Sequence, residues 1–313
     1  MITPGMPASA HWCLPGCTFR PMPFTRGARH SGILGLPPNP TRGNSMSTAL
    51  ITGASSGIGL DIARQLAARG LNLILVARRK ELLDQLADEL AAGHGITTTA
   101  LACDLADRQS LGALFDDVDA TLAKHNDHLT VLVNNAGTGF WAPFADQDLA
   151  GLQRDIDLNV TALTTLSHGF INRARAHGQR SYLMNVASLA GILPTPQYAT
   201  YSGTKGYVRF FTEILDYELR DSPISVTAAC PGGVLTPFLD QAGQTVKKQT
   251  GIMTAPEVAK LCVDAMYAGK VVYVPGLLNK VAVYTNLLPR RLRGWLLERS
   301  MMVSVEARPD ASR

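Results

Sequence analysis

The chain has 313 residues, 29 Lys+Arg against 25 Asp+Glu, 46% hydrophobic residues and only 17% charged ones, below the ~25% charged share of an ordinary soluble protein. That length fits one large domain or two small ones; with a mean hydropathy of +0.07 and no uninterrupted apolar run near the ~18 residues of a membrane helix, a polytopic membrane protein is excluded. The net charge of +4 sits in residues 1–45, which hold Arg20, Arg26, Arg29 and Arg42 and no acid, so the rest is balanced and shows no nucleic-acid footprint.

Residues 1–45 carry eight prolines and six glycines without hydrophobic periodicity, too little apolar surface to offset the entropy of ordering. They read as a disordered tail: a targeting peptide, a functional tail, or an upstream stretch that is not translated. A start at Met46 is favoured, because a strand begins almost at once after it. Five cysteines, at 13, 17, 103, 230 and 262, are too sparse for a disulfide framework or a four-ligand zinc site. They fit a reducing, cytoplasmic setting, and no metal is expected.

From Thr48 onward short apolar runs alternate with stretches of helical period, the signature of βαβ units and a parallel sheet. Seven strands are expected, at Thr48–Thr52, Leu71–Ala77, Thr97–Cys103, Leu129–Val133, Ser181–Val186, Ser225–Ala229 and Val271–Val274. Helices are expected over Gly57–Arg69, Lys80–Ala92, Ser110–Lys124, Leu149–Ala176, Tyr201–Arg220 and Pro256–Ala268. Residues 46–275 form this domain, and 276–313 a C-terminal extension in which Leu288, Leu292, Trp295 and Leu296 fall at helical spacing among Arg290, Arg291 and Arg293. Such a basic amphipathic helix could pack on the domain, cover an apolar pocket or lie on a membrane surface.

The first strand runs into Gly53, Ala54, Ser55, Ser56, Gly57, Ile58 and Gly59 and then a helix. A glycine-rich turn opening a helix offers free N–H groups and a positive dipole end to a pyrophosphate. The same residues spell Gly53-x-Ser55-x-Gly57, formally the nucleophile elbow of a hydrolase, which would need an acid and then a histidine downstream. The last histidine is His177, and 136 residues follow it with none.

Further marks follow: Asn134-Asn135-Ala136-Gly137 closing the fourth strand, Asn159, Ser188 after the fifth strand, Tyr201 and Lys205 four apart, and Pro231-Gly232 after the sixth. Together they resemble the short-chain dehydrogenase/reductase family in its single-domain form, over residues 48 to 275. The resemblance implies a doubly wound Rossmann sheet with strand order 3-2-1-4-5-6-7, a short helical C-terminal extension, and hydride transfer between a nicotinamide dinucleotide and a carbonyl or alcohol. It implies Tyr201 as general acid/base, Ser188 bonding the reacting oxygen, Lys205 lowering the phenol pKa and holding the nicotinamide ribose, and Asn159 holding a relay water. The i,i+4 spacing supports the pair, since such residues share a helix face and an adjacent cation favours phenolate.

For the cofactor, Ala77 stands where an acid would bond the ribose 2′-OH, and Arg78 and Arg79 follow it. Arginine suits a 2′-phosphate, so NADP(H) is expected over NAD(H), with Arg78 the contact and Arg79 at the next helix start. The resemblance adds Asp104 at the adenine, Asn134, Ala136 and Gly137 along the adenosine, and Thr236 at the carboxamide. The partner is a small carbonyl or alcohol, with lipid-like compounds included; the loop Phe238–Thr254 and the C-terminal segment would shape its pocket. A homodimer or homotetramer is expected from outward apolar positions such as Phe210, Phe211 and Leu215, which an isologous interface would bury. A dinucleotide-binding regulatory or scaffold protein on the same fold is the competing reading.

Overall fold

The computed structural model describes residues 47–247 and 251–307. The expectations for residues 1–45, Cys13 and Cys17 among them, lie outside the described residues. Strand β1 (Thr48–Thr52) is buried along its whole length. Its odd residues Ala49 and Ile51 enter one apolar layer and Leu50 the other, as the two-residue period of a strand covered on both faces requires. Strands β2 (Asn72–Ala77), β3 (Thr98–Ala102), β4 (Leu129–Asn134), β5 (Ser181–Val186) and β6 (Ile224–Ala229) follow the expected runs within a residue or so. After them come β7 (Val234–Leu235), β8 (Gln244–Val246), β9 (Met253–Thr254), β10 (Val272–Tyr273) and β11 (Val305–Ala307).

The main sheet has seven strands in the order β10-β6-β5-β4-β1-β2-β3, every neighbouring pair parallel. This is the expected order, with β10 as the seventh sheet strand. Short β7, β8, β9 and β11 were not expected, since two or three residues carry no alternation; β7 pairs with β9 and β8 with β11.

Helices α1 (Gly57–Ala67), α2 (Lys80–His94) and α3 (Arg108–His125) follow the first three strands. The expected single helix from Leu149 to Ala176 is instead α4 (Leu149–Ile156), a π-helical turn over Asp157–Ala162 and α5 (Leu163–His177). Then come α6 (Ala199–Leu219), α7 (Pro237–Gln241), α8 (Ala255–Tyr267), α9 (Leu277–Val283), a 3-10 turn at Tyr284–Leu287 and α10 (Arg290–Ser304). Side-chain caps fix several starts: Asp107 accepts from the Ser110 amide and Asp148 from the Gly151 amide, each at 2.8 Å.

Ile62, Leu66, Leu83, Leu90, Val258 and Met266 cover one face of the sheet, and Leu114, Val118, Leu166, Phe170 and Leu219 the other. Burying each such side chain contributes roughly 1.5–3 kcal/mol, which fixes the layers before any site residue is considered. Strand β1 has β2 on one side and β4 on the other. The chain therefore reverses its direction of winding there, and the strand ends open a crevice at that point.

Candidate active site

The turn after β1 is built on glycines. Gly53 has φ +66° and Gly57 φ +58°, left-handed values that L side chains rarely adopt. Gly59 is required by contact instead: a Cβ there would lie 2.3 Å from Asn135 Nδ2 and 2.5 Å from the Gly53 carbonyl oxygen. Asn135 staples this turn to β4, donating from Nδ2 to the Thr52 carbonyl at 2.9 Å, while Thr52 Oγ1 accepts from the Asn135 and Ala136 amides at 3.0 Å. Asn135 was read only as part of a motif, yet it shapes the cradle. The hydrolase alternative fails here, because Ser55 Oγ accepts from Arg79 at 3.0 Å rather than facing a histidine.

The crevice is a cleft of about 1080 Å³ that runs from this turn past Ala77, Arg78, Arg79 and Asp104 to Ser188, Tyr201 and Lys205. Ser55, Ser56, Ile58, Ala136, Gly137, Pro231, Gly232 and Thr236 also line it. Arg79 precedes α2 and bridges Ser55 and Ser56 at 3.0 and 3.1 Å, while Arg78 stands exposed at the same lip. Both cations therefore flank the turn, and Arg79 is more than a helix start. Burial opposes ionisation of Asp104, but a hydrogen bond from Arg154 at 2.5 Å and one from the Ala106 amide outweigh it and hold the carboxyl below its usual range.

Asn134 does not line the cleft. Its buried side chain donates to Ser167 Oγ and Asn185 Oδ1 at 3.0 and 2.9 Å, because the alternation of β4 turns it into the layer beneath α5. The expected adenosine contacts are thus reduced to its neighbours Ala136 and Gly137.

Ser188, 7% exposed, caps the 3-10 turn Leu189–Gly191 through its Oγ and the Ala190 amide at 3.1 Å. That turn packs on α6 because residue 191 is glycine: a Cβ there would sit 2.4 Å from the Lys205 carbonyl oxygen. The ring of Tyr201 lies against Gly139, where a Cβ would be 2.4 Å from Cδ2, and among Tyr198 and Phe238, with ring centres 4.9 and 5.6 Å away. Neither glycine has a local signal in sequence.

Lys205 is buried, and its Nζ donates to the Val186 carbonyl at 2.8 Å and lies 5.8 Å from the centre of the Tyr201 ring. Burial pulls its ammonium down to about 8. Burial likewise pushes the Tyr201 phenol up to about 12, against the opposing hydrogen bond of Ser188. Desolvation thus outweighs the expected lowering of the phenol by the lysine, whose amine is directed to a carbonyl.

Asn159 lies in the π-helical turn, which fits the tendency of such turns to mark functional sites. Its Oδ1 accepts from the Thr138 amide at 3.0 Å, and its Nδ2 donates to the Thr138 carbonyl at 2.7 Å and to Thr204 Oγ1 at 3.1 Å. It ties the loop after β4 to α6 beside Lys205. A Cβ on Gly137 would meet Asn159 Oδ1 and Lys205 Nζ, each at 3.1 Å.

Pro231 accepts from the Leu189 amide at 2.7 Å and so joins its loop to that of Ser188. Gly232 lies against Asn279 of α9, whose Oδ1 would be 2.5 Å from a Cβ at that position. Thr236 borders Gly57, a Cβ of which would lie 3.2 Å from the Thr236 Cβ. Phe238, Leu239, Leu278, Ala282 and Leu297 complete an apolar end of the cleft, so the loop Phe238–Thr254 and the C-terminal segment both contribute to its lining.

The sequence profile of the short chain dehydrogenase family matches residues 47–247. Sulfoacetaldehyde reductase 2 of Chromohalobacter salexigens is 33% identical over 220 residues, which are 68% of this chain and 85% of that protein. A very-long-chain 3-oxoacyl-CoA reductase of Meyerozyma guilliermondii is 35% identical over 187 residues, 57% of this chain and 53% of its own length. The chain thus spans only about half of that relative. Among solved structures, a short-chain dehydrogenase from Sphingobium yanoikuyae in complex with NADPH superposes with a TM-score of 0.70 at 31% identity, covering 85% of this chain and 98% of that one. The bulky-bulky ketone specific alcohol dehydrogenase from Comamonas testosteroni does so with a TM-score of 0.66 at 29% identity, covering 85% and 96%.

Proposed function

The chain belongs to the short-chain dehydrogenase family and is an oxidoreductase acting on CH-OH or C=O groups, and from that premise we propose that it is an NADPH-dependent carbonyl reductase with an apolar substrate. The residues present fit a nicotinamide dinucleotide, since the cradle has left-handed glycines where Cβ atoms would intrude and a helix begins behind it. When bound, the reduced cofactor supplies a hydride to the carbonyl carbon. Gly53, Ser55, Ser56, Gly57 and Ile58 would hold its pyrophosphate on the turn that Gly59 lets close against Asn135, Asp104, Ala136 and Gly137 its adenosine, and Pro231, Gly232 and Thr236 its carboxamide. Lys205 binds its ribose.

The proton is the protein's own task. Ser188 donates to the substrate oxygen and stabilises charge developing there. Tyr201, held as a neutral phenol by burial, donates the proton that the new alcohol requires, and Lys205, linked to solvent through a water that Asn159 would hold, replaces it. A phenol that stays protonated at neutral pH suits the reducing direction. The observation that carries the reading is the meeting of Ser188, Tyr201 and Lys205 in one cleft with the glycine turn; nothing favours the regulatory alternative.

NADPH over NADH is supported by Arg78 and Arg79 at the lip of the turn, two cations placed for a 2′-phosphate. Arg78→Asp raises the KM for NADPH about tenfold or more and that for NADH little, since a charge pair is lost and a repulsion gained; equal effects on both cofactors would defeat the assignment. The apolar end of the cleft supports a substrate with a hydrocarbon body, as the names of the very-long-chain and bulky-ketone relatives suggest for those proteins. Turnover across carbonyls of graded chain length tests it. A cytoplasmic homo-oligomer paired through α6 completes the proposal: Phe210 and Tyr217 are 56% and 70% exposed, whereas Phe211 and Leu215 pack inward.

A further inference from the structure

The C-terminal helices carry their large apolar side chains outward, the reverse of an ordinary surface helix, whose apolar stripe faces the core. On α9 and the turn behind it, Leu277, Val281, Tyr284 and Leu287 form one stripe, with Leu277 and Leu287 77% and 84% exposed. On α10, Leu292, Trp295 and Leu296 are exposed between Arg291 and Arg299, and the Arg299 guanidinium stands 5.6 Å from the centre of the Trp295 ring.

The opposite sides of these elements are held by the domain. Arg293 donates to Asn286 Oδ1 at 2.9 Å and Asn286 donates to the Ile192 carbonyl at 3.3 Å, while Leu297 lines the cleft. The outward face is therefore fixed in direction. Leu278 is both exposed and part of the cleft lining, so the apolar face is continuous with the cleft mouth.

Charge selects what covers this face. With Arg293 turned to Asn286 and Lys280 to the Tyr273 ring, the exposed arginines here are Arg290, Arg291 and Arg299, and Glu298 is the one acid of residues 276–300. A second copy docked through the same face would set these cations against one another across a two-fold axis. An anionic lipid surface complements them: leucines enter the acyl boundary, the indole sits at headgroup depth, and arginines extend along their aliphatic stems to phosphate.

We infer that the α9–α10 face is a docking surface for anionic membranes, seated so that the cleft mouth opens toward the acyl layer. Docking itself does not depend on catalysis; delivery of a long-chain carbonyl from the bilayer rests on the reductase reading above.

Co-sedimentation of the full chain with phosphatidylcholine vesicles, with and without phosphatidylglycerol, tests the docking. The expected result is binding to the anionic vesicles only. It falls about tenfold or more with Leu292→Glu plus Trp295→Glu, and likewise with Arg291→Glu plus Arg299→Glu. Both pairs are exposed and lie outside the cleft, so NADPH turnover of a short water-soluble carbonyl stays at the wild-type rate. Absence of vesicle binding overturns the inference, as does binding that both pairs leave intact, which would place it in another part of the chain. An oligomer that dissociates in the Leu292→Glu plus Trp295→Glu variant, without any lipid effect, would mean the face is covered by a second copy. Vesicle binding without turnover in any form of the protein would instead defeat the reductase reading and leave the docking standing.

Discussion

Replacing Lys205 with methionine should make the cofactor-free protein more stable while destroying its activity. The lysine is 5% exposed and its pKa falls from 10.5 to about 8 through burial, so at pH 7 the folded state carries a cost of about 3 kcal/mol for holding the ammonium. Methionine has similar length and no charge. It forfeits the charge-assisted bond to the Val186 carbonyl, worth about 2 kcal/mol, which leaves a net gain of about 1 kcal/mol, or roughly 2–4 °C in Tm. The pH dependence follows from the sign of the shift. Below about 8 both folded and unfolded wild type are protonated and the cost is complete. Between about 8 and 10.5 the unfolded chain binds more protons, so wild-type stability climbs with pH relative to the variant. Above 10.5 the advantage of methionine disappears. Paired thermal melts of both proteins without cofactor, at pH 7 and near the unperturbed lysine pKa, measure this. A variant less stable than wild type at pH 7, or a gap that is the same at both pH values, would refute the reasoning.

The remaining expectations concern the reacting end of the cleft and the assembly. Tyr201→Phe keeps the ring among Tyr198, Phe238 and Gly139 and should lower kcat by roughly 10²- to 10⁴-fold with NADPH binding by fluorescence titration unchanged. Gly139→Ala drives a Cβ to 2.4 Å from the Tyr201 ring, so kcat should fall at least about tenfold while the Kd for NADPH holds. In Gly191→Ala the clash is with the Lys205 main chain, which cannot yield as a side chain can; urea unfolding should show a loss of about 1–3 kcal/mol. Sedimentation should find more than one copy of the 33.5 kDa chain per particle, and Phe210→Glu with Tyr217→Glu should reduce it to one.

The strands were legible because a sheet covered on both faces needs contiguous apolar runs, as in Leu73–Val76, and the glycine turn and Tyr201–Lys205 pair because their spacing is local. What could not be read depends on distant contacts. The spacing placed Tyr201 and Lys205 on one helix face, but the direction of the amine is decided by the Val186 carbonyl across the cleft. Gly139 and Gly191 matter through side chains and backbone far along the chain. The break at Asp157–Ala162 was hidden because a π-turn retains helical residues and shifts only their register, a shift that the bonds of Asn159 to Thr138 secure.

Asn279 links two parts of the molecule that protein engineers treat as separable. Its side chain donates to the Pro275 carbonyl at 2.9 Å and fills the space over Gly232, so the first turn of the C-terminal extension abuts the loop assigned to the nicotinamide. A chimera that grafts the tail of another family member here would carry its own residue into that contact, and a bulkier one would push the loop proposed above to orient the cofactor. Redesign of substrate preference through the extension must therefore keep Gly232 and Asn279 as a matched pair, or cofactor geometry will drift with every tail exchanged.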